Sequence, residues 1–93
     1  MIKTFADRYT HTLFVTGQTK RFPSELARRA VLKLEYIDIA QCIDDLKVPP
    51  SNRLHELKGD RKGFFSIAIN DQWRICFRFA AGDAYEVQLV DYH

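Results

Sequence analysis

The chain has 93 residues, 46% apolar, 28% charged and 13% aromatic, with seven phenylalanines and a formal net charge of +2. Halves of so short a chain could not each bury a core, so one domain over residues 1–93 is expected, and the composition excludes a disordered tail. No apolar run approaches the roughly 20 residues that cross a bilayer, and the N-terminus lacks a secretion-signal core, so a cytoplasmic protein with no membrane contact is expected.

Residues 1–5 (MIKTF) alternate apolar and polar side chains and predict a short edge strand. Residues 7–16, with Leu13 and Phe14 and Gly17 just beyond, predict a short helix. Pro23-Ser24 opens the clearest helix. Ser24 is expected to cap it, Glu25 suits the positive end of its dipole, and the pattern runs to about Leu46. Leu26, Ala30, Leu34 and Ile37 form one apolar stripe along it. Leu32, Tyr36, Ile39, Ile43 and Leu46 form a second, covered either by the residue 7–16 helix or by a partner protein. Cys42 and Cys76 lie in apolar segments without metal-knuckle or redox spacing, and are expected to be buried reduced thiols. Pro49-Pro50 cannot continue a helix, and residues 51–62 then predict a polar loop ending at Gly63.

Three β-branched or aromatic runs follow, at residues 64–69, 73–79 and 84–90, and predict an antiparallel meander. Their register can be argued. A three-residue turn, Asn70-Asp71-Gln72, places Phe65, Ile67 and Ile69 on the same face as Trp73, Ile75, Phe77 and Phe79, whereas a two-residue turn would set Ile67 opposite Arg74. Tyr85, Val87 and Leu89 are expected on that core face, with Arg74, Cys76 and Arg78 on the other. Tyr92 is in phase with the second, basic face if the last strand continues.

The net charge is too small to declare a nucleic-acid partner, but its distribution is uneven. Residues 53–78 carry six basic side chains (Arg53, Lys58, Arg61, Lys62, Arg74 and Arg78) against three acidic ones (Glu56, Asp60 and Asp71). Gly59 and Gly63 lack the spacing and the Gly-Lys-Ser/Thr ending of a phosphate loop, so turn geometry is their expected role. Trp73, Phe77 and Phe79 belong to the core by phase rather than to a base-stacking platform.

The stretch NRLHELKGDRKGFFSIAINDQWRICFRF (residues 52–79), with the chain end VDYH, closely resembles the HigB toxins of the RelE/ParE superfamily. Phe14, Gly17, Lys33-Leu34, Ile37-Asp38, Asp45-Leu46 and Pro49-Pro50 extend the likeness across the chain. The resemblance implies an α+β, microbial-RNase-like fold, in which a short N-terminal strand and two helices pack on one face of a twisted antiparallel sheet. The opposite face is then the active surface. It further implies ribosome-dependent cleavage of messenger RNA in the decoding site, and neutralisation by a HigA-like helix-turn-helix antitoxin, through which alone operator DNA is reached. No metal or cofactor is implied.

RNA transesterification needs a base for the 2′-hydroxyl proton, an acid for the leaving 5′-oxygen, and positive charge near the phosphate. Imidazole suits the first two tasks, since its ordinary pKa lies near 6.5. By residue type alone a loop histidine is more often a solvated side chain than a catalyst. The resemblance reverses this for two of the three histidines, since His55 and His93 match the HigB active-site pair and His11 matches nothing. It also carries over Asp91, Tyr92 and His93 as a catalytic triplet, with Asp91 orienting an imidazole and Tyr92 transferring a proton or stacking on a base. Arg74 is expected to stabilise phosphate charge, with Lys58 next to it in importance and Arg61, Lys62, Arg53 and Arg78 extending the surface toward RNA. One superfamily branch instead poisons DNA gyrase without cutting RNA, and a non-catalytic RNA-binding or protein-interaction domain is a further alternative. His55 together with Asp91-Tyr92-His93 favours the nuclease.

Overall fold

The computed structural model describes residues 1–91. Asp7 begins the first helix: its backbone is extended and its carboxylate accepts from the Thr10 N–H at 2.7 Å, capping α1 (Arg8–Thr16). Gly17 ends the helix in the left-handed conformation (φ 72°), its N–H returning to the Leu13 carbonyl.

α2 (Ser24–Ile39) differs from expectation at both ends. The capping position falls on Pro23, which offers no side-chain cap, and Ser24 is already the first helical residue. The far end stops at Ile39, seven residues short of the expected Leu46, because Ala40 turns extended (ψ 131°). Asp45 then competes for the backbone, accepting from the N–H groups of Gln41 (2.9 Å) and Cys42 (3.4 Å) and winding Ile43–Lys47 into a separate 3-10 turn. Those bonds hold the Asp45 carboxyl below its ordinary pKa. The break dissolves the second apolar stripe. Leu46 swings into the core at 1% exposure, while Leu32 and Ile39 stay on the surface. Cys42 is exposed rather than buried, because it lies in this turn; Cys76 is buried as expected.

The sheet has four antiparallel strands in the order β1 (His55–Glu56), β2 (Phe64–Ala68), β3 (Trp73–Ala80) and β4 (Asp83–Asp91). The argued register holds. Phe65 faces Phe77 and Ile67 faces Ile75, and the Asn70 side-chain carbonyl closes the three-residue turn by accepting from the N–H groups of Gln72 and Trp73, both at 2.8 Å. Residues 1–6 lie extended along the outer edge of β4 through two isolated parallel bridges, Ile2 to Ala84 and Phe5 to Val87, rather than as a complete strand. Ile67, Ile75, Phe77 and Val87 on the inner face pack against Leu13 of α1 and Ala30, Leu34 and Ile37 of α2.

One strand expectation fails. Between Cys76 and Arg78 the pairing shifts, so that Glu86 and Val87 together oppose Phe77, and Glu86 takes a left-handed backbone (φ 54°). The extra residue reverses the alternation before it. Ala84 therefore takes the inward position, and Tyr85 turns to the outer face, where the Arg78 guanidinium covers its ring at 4.3 Å. Among the described residues no helix is long and apolar enough to cross a membrane.

Candidate active site

The face of the sheet turned away from the helices carries the expected basic residues. Its centre is a lateral row, His55, Ser66, Cys76 and Gln88, one residue from each strand in direct register. His55 was expected in a loop, but it stands on the edge strand β1, exposed, with Ser66 as its cross-strand partner. Directly opposed side chains start about 5 Å apart, so whatever Ser66 holds lies beside the imidazole.

Ser66 holds Arg74. From the next row on β3, Arg74 leans across β2: its Nε donates to Ser66 Oγ at 2.8 Å, and its Nη2 donates to the Arg53 carbonyl at 2.6 Å and the Ser66 carbonyl at 3.3 Å. Ser66 is fully buried and Arg74 half-buried, so the guanidinium is fixed by a bonded frame rather than swinging in solvent. Arg53 adopts φ 45°, which turns its carbonyl to this task.

Cys76 reports the local field. Burial pushes its thiol pKa up, while the charges of Arg61 and Arg74 pull the other way. Arg61 also covers the Phe64 ring at 4.8 Å. It belongs to a 3-10 turn (Gly59–Arg61) flanked by exposed Lys58 and Lys62, and left-handed backbones at Gly59 (φ 77°) and Gly63 (φ 87°) shape this loop, as expected of them.

The remaining candidates separate. The Arg53 side chain is committed to the β2–β3 turn, through Asp71 at 3.6 Å and the Asn70 carbonyl at 3.4 Å. Arg78 shares the outer face but sits four residues along β3 from Arg74, roughly 13 Å away, ion-paired with Glu86 at 3.6 Å. Asp91 pairs with Trp73, an inner-face residue, and its Oδ2 accepts from Gln72 at 3.1 Å. The sheet thus stands between Asp91 and the His55 imidazole. Tyr92 and His93 lie outside the described residues. Among the described residues no cluster of His, Cys, Asp or Glu could hold a metal ion.

Three polar residues that shape this site escaped the sequence reading. Ser66 sits as a lone hydroxyl in an apolar run and becomes meaningful only once the register is known. Lys33, on the buried side of α2, donates from Nζ to Asn52 Oδ1 at 2.6 Å and to Ser51 Oγ at 3.4 Å, and Asn52 donates to the Leu46 carbonyl at 3.1 Å. Together they moor the chain to α2 three residues before His55. Burial, with Arg29 adding to it, pushes the Lys33 pKa below its ordinary 10.5. Lys33→Met leaves the Asn52 carbonyl buried without a donor, and the expected loss is about 1–3 kcal/mol in denaturant unfolding. Because native Lys33 sheds its proton before the unfolded chain does, the wild type gains stability relative to this variant as pH rises toward 10.5. A constant difference between the two across that window would remove the buried-lysine account.

Comparison with known proteins identifies the family and the fold. The family described as RelE-like toxin of type II toxin-antitoxin system HigB matches residues 3–93. The chain is 41% identical over 93 residues to Endoribonuclease HigB of Proteus vulgaris, covering both proteins in full. It is 35% identical over 86 residues to Toxin HigB-1 of Vibrio cholerae serotype O1, covering 91% of this chain and 90% of the relative. Among solved structures, a YafQ mutant from E. coli superimposes with a TM-score of 0.59 at 16% identity, over 98% of this chain and 91% of the other, and shares the fold: two helices on a four-stranded antiparallel sheet. By these matches the chain belongs to the HigB-like family, the RelE-like toxins of type II toxin–antitoxin systems.

Proposed function

We propose that this chain, acting as one toxin domain in the cytoplasm, is a ribosome-dependent endoribonuclease that cleaves messenger RNA in the decoding site by general acid–base catalysis. The observation that carries this reading is the Arg74 guanidinium, fixed by Ser66 and the Arg53 carbonyl beside the exposed His55. A relative identical at 41% of positions bears the name endoribonuclease.

A scissile phosphate resting on Arg74 has its charge neutralised as the pentavalent state forms, and Arg61, Lys58 and Lys62 supply further positive field over the same face. His55 and His93 divide the base and acid roles. Tyr92 transfers a proton or stacks on the base, and Asp91, held by Gln72 on the far side of the sheet, orients the chain end and its imidazole rather than His55. Arg53 acts through its carbonyl, and Arg78 extends the RNA surface at its margin. The ribosome presents the message to this face. A HigA-like helix-turn-helix antitoxin is the neutralising partner and the only route to operator DNA.

Mapping RNA ends after brief induction in cells, beside purified protein on naked and ribosome-bound message, tests this. New ends within translated codons, appearing in vitro only with ribosomes, are expected. Rapid cutting of naked RNA would overturn the ribosome dependence, and DNA-damage signalling without new RNA ends would replace the nuclease by a gyrase poison.

A further inference from the structure

A second cationic site lies off the catalytic face, in a groove of about 390 Å³ between α1 and the segment that leads into α2. Its lining is Arg8, Tyr9, Thr12, Thr19, Lys20 and Arg21. Every one of these side chains can donate a hydrogen bond, and none is a carboxylate. Four other grooves on the surface each hold a carboxylate, from Glu35, Asp7, Asp45 or Glu25.

The cations are gathered around one ring. The Arg21 guanidinium covers Tyr9 at 4.4 Å and that of Arg8 lies at 5.4 Å. Arg8 first, and then the charge of Arg21, draw the Tyr9 pKa below its ordinary 10.0, against burial and the charge of Asp7. The Asp7 carboxylate is engaged in capping α1. Among the described residues none of Arg8, Lys20 and Arg21 makes an ion pair, and all three are exposed. Holding like charges together without a carboxylate costs stability, a cost that an anionic ligand would repay.

The groove lies on the helix side of the sheet, opposite the Arg74 face, and is tied to the strands. Thr10 Oγ1 accepts from the Leu89 N–H at 3.1 Å, which fixes α1 to the last residues of β4. Phe22, next to Arg21, meets the inner-face Trp73 edge-on at 5.5 Å. A phosphate held here is therefore separate from the scissile one on the Arg74 face.

We propose that this groove binds a backbone phosphate of ribosomal RNA and docks the toxin on the ribosome, separately from the residues that act on the cleaved strand. The proposal rests on the ribosome-dependent reading above. Its test is sedimentation of the protein with 70S ribosomes carrying no message, over a range of salt, comparing wild type with Arg8→Ala/Lys20→Ala/Arg21→Ala and with the single reversal Lys20→Glu. The triple variant is expected to bind at least tenfold more weakly, with a salt slope shallower by roughly 0.7–0.9 per lost phosphate contact. Its cleavage defect should appear as a higher half-saturating ribosome concentration, not a lower plateau rate.

Equal affinity and slope in the wild type and both variants would overturn the site. So would a loss seen only when message is present, which would assign the groove to the messenger strand, or loss of antitoxin binding with ribosome binding intact, which would make it a protein interface. If the wild type fails to sediment with ribosomes, the ribosome-dependent reading itself falls. The substituted side chains are exposed, and unchanged thermal unfolding of Lys20→Glu would exclude misfolding as the cause of weaker binding.

Discussion

His55→Ala is expected to lower the plateau rate of RNA cleavage on saturating ribosomes by about 10²–10⁴-fold, the usual contribution of a positioned acid or base. The fold should barely register the change. His55 is exposed on a two-residue edge strand, and substitutions at such positions generally stay within about 0.5 kcal/mol. Ser66 opposite it keeps its bond to Arg74, so the phosphate-binding frame survives. His55→Gln separates proton transfer from placement. Glutamine retains hydrogen bonding but cannot titrate near neutral pH, so it should be as slow as alanine. A Gln variant within a few-fold of wild type would reduce His55 to a positioning residue, and an active Ala variant would remove it from the site.

How much of this was legible in the sequence depends on whether the cause was local or cross-strand. The turn at residues 70–72 could be read because three core pairs, among them Ile67 with Ile75, would be broken by any even-numbered turn. The Tyr85 face could not, since it hangs on one left-handed residue, Glu86, that no alternation pattern announces. The end of α2 was hidden likewise. Apolar spacing continues through Ile43 and Leu46, but the Asp45 carboxylate captures two N–H groups and breaks the helix beneath an unbroken pattern. At the site, Arg74 was readable from charge and phase, and His55 from the family motif. Their mutual placement was not. It depends on β1 pairing with β2 and on the buried hydroxyl of Ser66, which are tertiary facts. The mooring of residues 51–52 by Lys33 is of the same kind, since nothing local marks a lysine as buried.

Arg74→Ala is expected to slow cleavage by about 10²–10³-fold, the usual cost of deleting one preorganised stabiliser of developing charge. Arg74→Lys should recover little of this. Lysine brings a point charge but lacks the planar fork that bonds Ser66 Oγ through Nε and the Arg53 carbonyl through Nη2. Ser66→Ala tests the frame itself: the guanidinium remains but loses its Nε partner, and the plateau rate should fall roughly tenfold, a loss of about 1.4 kcal/mol in transition-state stabilisation. If Ser66 acts only by aiming Arg74, then Ser66→Ala introduced into Arg74→Ala should change the rate no further, and the double-mutant cycle should show strong coupling. Two losses that simply multiply would mean that Ser66 serves the reaction by some route other than Arg74. The arrangement of a buried hydroxyl, a fixed guanidinium and an adjacent imidazole would then no longer work as one unit.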